Sequence, residues 1–73
     1  MARHFSGQRL RETRKAAGVS VEQLALTIGR TAYSIHEYQR GRVTPPTSIM
    51  AAIADALDCK VDDLLAEEAA DAA

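Results

Sequence analysis

The chain holds one cysteine, Cys59, two prolines and no tryptophan in 73 residues. A lone cysteine excludes an internal disulfide and suits a reducing cytoplasm. No apolar run approaches the roughly 20 residues that a membrane span needs. The first residues are polar and no apolar stretch follows them, so no signal-peptide pattern is present. His4, His36 and Cys59 have no metal-ligand spacing, which leaves no metal and no cofactor to expect. No carboxylate pair, nucleophile–base pair or phosphate-binding loop points to catalysis, so an enzyme is not expected. No strand pattern of any length and no internal repeat appears. What remains is one small domain. At this size a fold buries only about 60% of the surface its unfolded chain would expose, and compact helical packing is the economical solution.

The net charge of −1 conceals a polarity. Residues 1–42 carry eight basic side chains against three acids, a balance of +5. Residues 43–73 carry Lys60 alone against seven acids, a balance of −6. One half can face phosphates while the other points away from them.

Helix signals follow one another along the chain. Ser6 caps a first helix to about Ala17, with Leu10, Thr13 and Ala17 on one face and Gly18 as a left-handed stop. Ser20 and Gln23 form an S-x-x-Q capping box, with Val19 and Leu24 as a hydrophobic staple. Leu24, Ala25 and Ile28 are the inward face of this second helix, and Gly29 ends it. Thr31 caps a third helix from Ala32 to about Gln39, anchored by Ile35 and Tyr38 and stopped by Gly41. Pro45 and Pro46 open a fourth helix, with Met50, Ile53, Ala54 and Leu57 as its buried stripe. Asp58 takes the left-handed position after it. A short fifth helix is expected over 61–65, with Asp62 and Asp63 in its first turn.

The stretch VEQLALTIGRTAYSIHEYQRG therefore encodes two helices crossing steeply through a short turn. Ala25 is small because the next helix crosses close over it, and Gly29 permits positive φ at little steric cost. Ala25, Gly29, Ile35 and Tyr38 are the residues on which this unit depends. Tyr38 reads as core rather than as a contact residue. Cys59 reads as filler of a small apolar slot, and Asp62, Asp63, Glu67 and Glu68 as a solvated face. Leu26 lies off the apolar face of its helix. It either covers the segment around Phe5 or marks a contact with a partner.

These residues resemble a known family, the lambda-repressor-like, Cro/CI-type (XRE) helix-turn-helix domain. The resemblance runs over residues 10–65: LRETRKAAGVS, VEQLALTIG, TAYSIHEYQRG, RVTPP and IADALDCKVDDLL. It implies an all-α fold of five helices over 6–65, with a flexible arm over 1–5 and an acidic, alanine-rich tail over 66–73. Three positions depart from the family pattern. Val21 replaces the usual Gln that meets a phosphate, leaving only its backbone for that contact. Gln39 replaces a Glu, so its partner Arg14 would donate to a neutral acceptor rather than to a carboxylate. Thr13 replaces a Leu.

By that resemblance the third helix enters the major groove of double-stranded DNA. Ala32, Tyr33, Ser34 and Glu37 are then the base-facing set, with His36 at their edge. The face lacks Arg, Asn and Gln, so the common bidentate pairs to guanine and adenine are missing. Ala32 can meet a thymine methyl, Glu37 can accept from cytosine N4, and Tyr33 can pack on a methyl. Arg30, Arg40 and Arg42 bracket the helix as phosphate clamps. The expected function is a bacterial, nucleoid-bound transcriptional regulator, acting as a homodimer on an inverted repeat. Self-association falls to Leu64, Leu65 and the tail. The alternative is a protein-interaction module or antitoxin-like subunit that engages a partner through Leu26 or the tail.

Overall fold

The computed structural model describes residues 3–67. Four α-helices follow a short strand: β1 (Arg3–Phe5), α1 (Gly7–Ala16), α2 (Val21–Ile28), α3 (Ala32–Gln39) and α4 (Thr47–Ala56). A single 3₁₀ turn (Val61–Leu64) and a second strand, β2 (Leu65–Glu67), complete the described chain.

Local caps set the helix starts. The Ser6 hydroxyl accepts from Arg9 N at 3.2 Å. Ser20 and Gln23 close a reciprocal capping box, each side chain accepting from the other's backbone N–H at 2.9 and 3.0 Å. Such pairs satisfy two of the four amide donors that a helix start leaves orphaned. Thr31 Oγ1 accepts from Ser34 N at 3.1 Å to start α3. Gly29 ends α2 in the left-handed region at φ 71°, and Asp58 adopts φ 54° after α4.

The core joins all four helices and the 3₁₀ turn. Leu10, Leu24, Ile35, Ile53 and Leu64 are fully buried at its centre, with Val21, Ala25, Tyr38, Ala54 and Leu57 around them. Phe5, Val19, Ile28 and Cys59 pack on its margin. Arg14 binds this framework together from the side: its Nε donates to Gln39 Oε1 at 2.9 Å and its Nη1 to the Val19 carbonyl at 2.8 Å. The Arg14–Gln39 bond expected from the sequence, with a neutral acceptor, is therefore made. Burial pushes the Cys59 thiol above its ordinary range, and the charges of Asp63 and Asp58 push it further.

The architecture corrects several expectations. Among the described residues there are four α-helices and a small sheet rather than five helices. Residues 61–64 make a 3₁₀ turn, closed by Lys60 N donating to Asp63 Oδ2 at 3.0 Å. The next three residues are extended because their backbone pairs with β1. The strands are antiparallel, with Arg3 opposite Glu67, His4 opposite Ala66 and Phe5 opposite Leu65. Ser6 N continues the tie, donating to the Leu64 carbonyl at 2.8 Å. Residues 3–5, read from the sequence as part of an arm, are thus a paired strand, and Ala66 and Glu67 of the expected tail are its partner. The remainder of the tail lies outside the described residues. Pro45 and Pro46 precede α4, with Pro46 at its N-cap and Pro45 buried. Ala17 is exposed rather than inward, because α1 ends one residue before it.

One close approach went unread in the sequence. A Cβ placed on Gly7 would overlap the carbonyl oxygens of Gln39 and Tyr38. The start of α1 lies directly against the end of α3, and glycine lets the two backbones meet.

Candidate nucleic-acid interface

The turn between α2 and α3 is three residues long, Gly29, Arg30 and Thr31. Gly29 makes it possible. With φ at 71°, the Arg30 N–H turns back to the Ala25 carbonyl at 2.8 Å, closing the end of α2. Ala25 is 4% exposed and Ile35 fully buried where the two helices cross. Ala25, Ile35 and Tyr38 lie in the core, and Gly29 is at positive φ.

The outer side of α3 presents Tyr33, 71% exposed, and His36, also exposed. Ala32 and Ser34 are half-buried. The Ser34 hydroxyl accepts from Thr31 Oγ1 at 3.1 Å, so part of its capacity is used within the cap. Arg30 is exposed at the start of α3, and Arg40 and Arg42 are exposed beyond its end. Val21 opens α2 with its side chain in the core.

Glu37 departs from its expected place on the projecting face. It is only 9% exposed. The cause is the segment after α3. Gly41 at φ 75° turns the chain back, and Arg42 N donates to the Glu37 carbonyl at 3.1 Å. Val43 then lies beside the helix, and a cleft of about 190 Å³ forms between Tyr33, Ser34, Glu37, Tyr38 and Val43. The Glu37 carboxylate faces two guanidinium groups, Arg40 Nη1 at 3.8 Å and Arg42 Nη1 at 3.9 Å. Helical spacing alone assigned Glu37 outward, because it stands one turn beyond the exposed Tyr33. Val43 carried no signal beyond being an apolar residue in a polar loop. Nearly half of its surface is open.

Leu26 is 85% exposed and covers nothing. Phe5 instead packs at the core margin and pairs with Leu65. Leu64, expected at a subunit contact, is fully buried in the monomer core.

The sequence model of the helix-turn-helix domain matches residues 7–67. The chain belongs to this family, in its Cro/CI-type (XRE) branch. The restriction-modification controller protein C.AhdI from Aeromonas hydrophila is 36% identical, with a TM-score of 0.75 over 80% of this chain and 88% of that one. The P22 c2 repressor, solved with a synthetic operator, is 28% identical with a TM-score of 0.74, covering 80% and 88% of the two chains. SinR, a master regulator for biofilm formation solved with DNA, is 27% identical with a TM-score of 0.72, covering 80% and 94%. SinR is also known as a complex with the SinI protein. No curated protein sequence matches the chain. The two helices of the motif are α2 and α3, and no helix among the described residues is long and apolar enough to cross a membrane.

Proposed function

We propose that this helix-turn-helix protein is a sequence-specific DNA-binding transcriptional regulator that docks α3 in the major groove. The observation that carries the reading is the exposed Tyr33–His36 surface of α3, bracketed by the exposed Arg30, Arg40 and Arg42. Side chains on such a helix meet base edges, while flanking arginines fix register on the phosphates. Tyr33 packs on a thymine methyl, Ala32 meets another, and Ser34 and His36 lie at the edge of the read sequence. The backbone of Val21, at the N-terminus of α2, adds a phosphate contact of the kind helix N-termini favour. One module reads few base pairs, so two copies occupy an inverted repeat.

Selection of duplexes from a random pool by the purified protein tests this. A defined half-site is the expected result, and Tyr33→Ala relaxes preference at one or two of its positions. Arg42→Ala weakens binding to every sequence alike and lowers the salt slope by about one unit. Binding without sequence preference, or an unchanged slope, contradicts the docking.

A second reading rests on Leu26. In it the fold is kept, DNA binding is secondary, and Leu26, 85% exposed on α2, meets a protein partner. Removing Arg40 and Arg42 together separates the two: a DNA reader loses its salt-dependent binding, and a protein-interaction module does not depend on them.

A further inference from the structure

We propose that Glu37 is a positioning residue for Arg40 and Arg42, holding both guanidinium groups in place before DNA arrives and limiting their attraction for unrelated sequence. The inference rests on the DNA-binding reading above.

Three observations converge on this carboxylate. It is nine-tenths buried, and its Oε2 is closed off without a hydrogen-bond partner. A buried charge left so is costly unless opposite charge lies close. The opposite charge is there twice, with Arg40 Nη1 at 3.8 Å and Arg42 Nη1 at 3.9 Å from the same Oε2. The two arginines are held by backbone as well. Arg40 N donates to the His36 carbonyl at 3.0 Å and Arg42 N to the Glu37 carbonyl at 3.1 Å. Both residues therefore start from fixed points around one carboxylate.

The arginines are not consumed by this arrangement. Their side chains stay 61% and 67% exposed. A guanidinium has five N–H donors in a rigid fork, and the contact of each with Glu37 is through Nη1. At that exposure each guanidinium keeps donors available for phosphate oxygens. Glu37 thus fixes one end of each fork and leaves the other free. Its negative charge also lowers the local balance of the three side chains to +1. A carboxylate beneath the arginines subtracts from the sequence-independent attraction to phosphate, which is largely electrostatic. A base-reading role fits the geometry less well, since Oε2 is closed off from solvent.

The test uses the full chain and the isosteric Glu37→Gln variant, with thermal melting to establish that it folds. Relaxation of the Arg40 and Arg42 Nε–H groups is measured by NMR without DNA, and binding to the selected duplex and to a scrambled one is measured across salt. In the variant both Nε–H groups become more mobile. Binding to the scrambled duplex tightens about threefold at low salt, and the ratio between the two duplexes falls. Placing Glu37→Gln on an Arg40→Ala, Arg42→Ala background removes most of that change, because its effect passes through the arginines. Unchanged arginine mobility together with an unchanged ratio overturns the proposal. So does a switch in the preferred base at one operator position with arginine mobility unaltered, which makes Glu37 a reader instead. Arg40→Ala alone gives an arm that does not depend on the Gln variant folding. Arg42 is then the sole cation facing the carboxylate and becomes more ordered, and an Arg42 as mobile as before overturns the proposal. Wild-type protein that binds neither duplex removes the DNA-binding reading, while the relaxation arms still decide whether Glu37 holds the arginines.

Discussion

Single side chains carry sharply unequal burdens in so small a fold. Gly7 has no visible chemistry, yet the two carbonyl oxygens of Gln39 and Tyr38 occupy the space its Cβ would need. Gly7→Ala must therefore push α1 away from the end of α3. Overpacking of this kind costs about 1–3 kcal/mol, read as a lower urea midpoint at unchanged m-value. Ala at the exposed Gly18 is a poor control, since its φ of 71° adds strain of its own; Ala at the exposed Gln8 is a better one. Cys59 makes a pH prediction whose direction follows from its surroundings. Burial first, then Asp63 and Asp58, raise its folded pKa above the ordinary 9.0. The protonated thiol is thus favoured in the folded state. The stability linked to it is complete below pH 9.0 and declines as pH rises through the folded value, because the unfolded thiol ionises first. Cys59→Ser should flatten that alkaline decline. The native thiol should also alkylate more slowly at pH 8 than the same thiol in the unfolded chain. A decline that persists in the serine variant assigns it to another group.

Elements differ in how far local chemistry determines them. Helix α3 is eight residues long and begins on Thr31, whose hydroxyl accepts from Ser34 N and donates to Ser34 Oγ. Thr31→Ala leaves an orphaned amide at the start of the helix. The expected loss is about 1 kcal/mol in chemical denaturation, with DNA affinity falling further because Tyr33 and Ser34 ride on that first turn. Equal losses in stability and affinity would detach the cap from the docking surface. Such caps were legible in the sequence because every participant lies within a few residues. Ser20 with Gln23, Gly29, and Asp58 at positive φ are of the same kind. The two-stranded ribbon was not legible. Each strand has three residues, too few to display alternation, and the partners come from opposite ends of the described chain. Glu37 was misplaced for a related reason: its helical phase points outward, while the chain that turns back at Gly41 brings Arg42 N onto its carbonyl and Arg42 Nη1 beside its carboxylate. The base-facing and phosphate-facing assignments rest on the family likeness rather than on spacing. Their surface exposure is now known for Tyr33, His36, Arg30, Arg40 and Arg42.

The molecule as a body is 34 × 22 × 21 Å, and its basic half includes the helix-turn-helix unit. Pairing two such bodies on an inverted repeat needs a contact surface, and the burial of Leu64 removes one candidate from it. A truncation that tests self-association must consequently spare Leu64 and the ribbon. Sedimentation of the full chain and of a version ending at Glu67, each with and without a palindromic duplex, is the appropriate comparison. If residues 68–73 carry the contact, the shortened chain occupies the palindrome one copy at a time. Two-copy occupancy by both versions assigns the contact elsewhere, with Leu26 on α2 the next residue to change. The β1–β2 ribbon has a further consequence. With Arg3 opposite Glu67 and Ser6 bonded to Leu64, the described chain is topologically almost a ring, its two ends lying side by side. Order along the polypeptide is then separable from the order of the fold. A permuted gene that links the natural ends and opens the chain at the exposed Gly18 turn should yield the same helices, the same buried Leu10 and Leu64, and the same duplex preference. Such a protein would begin with α2 and α3 and end with α1.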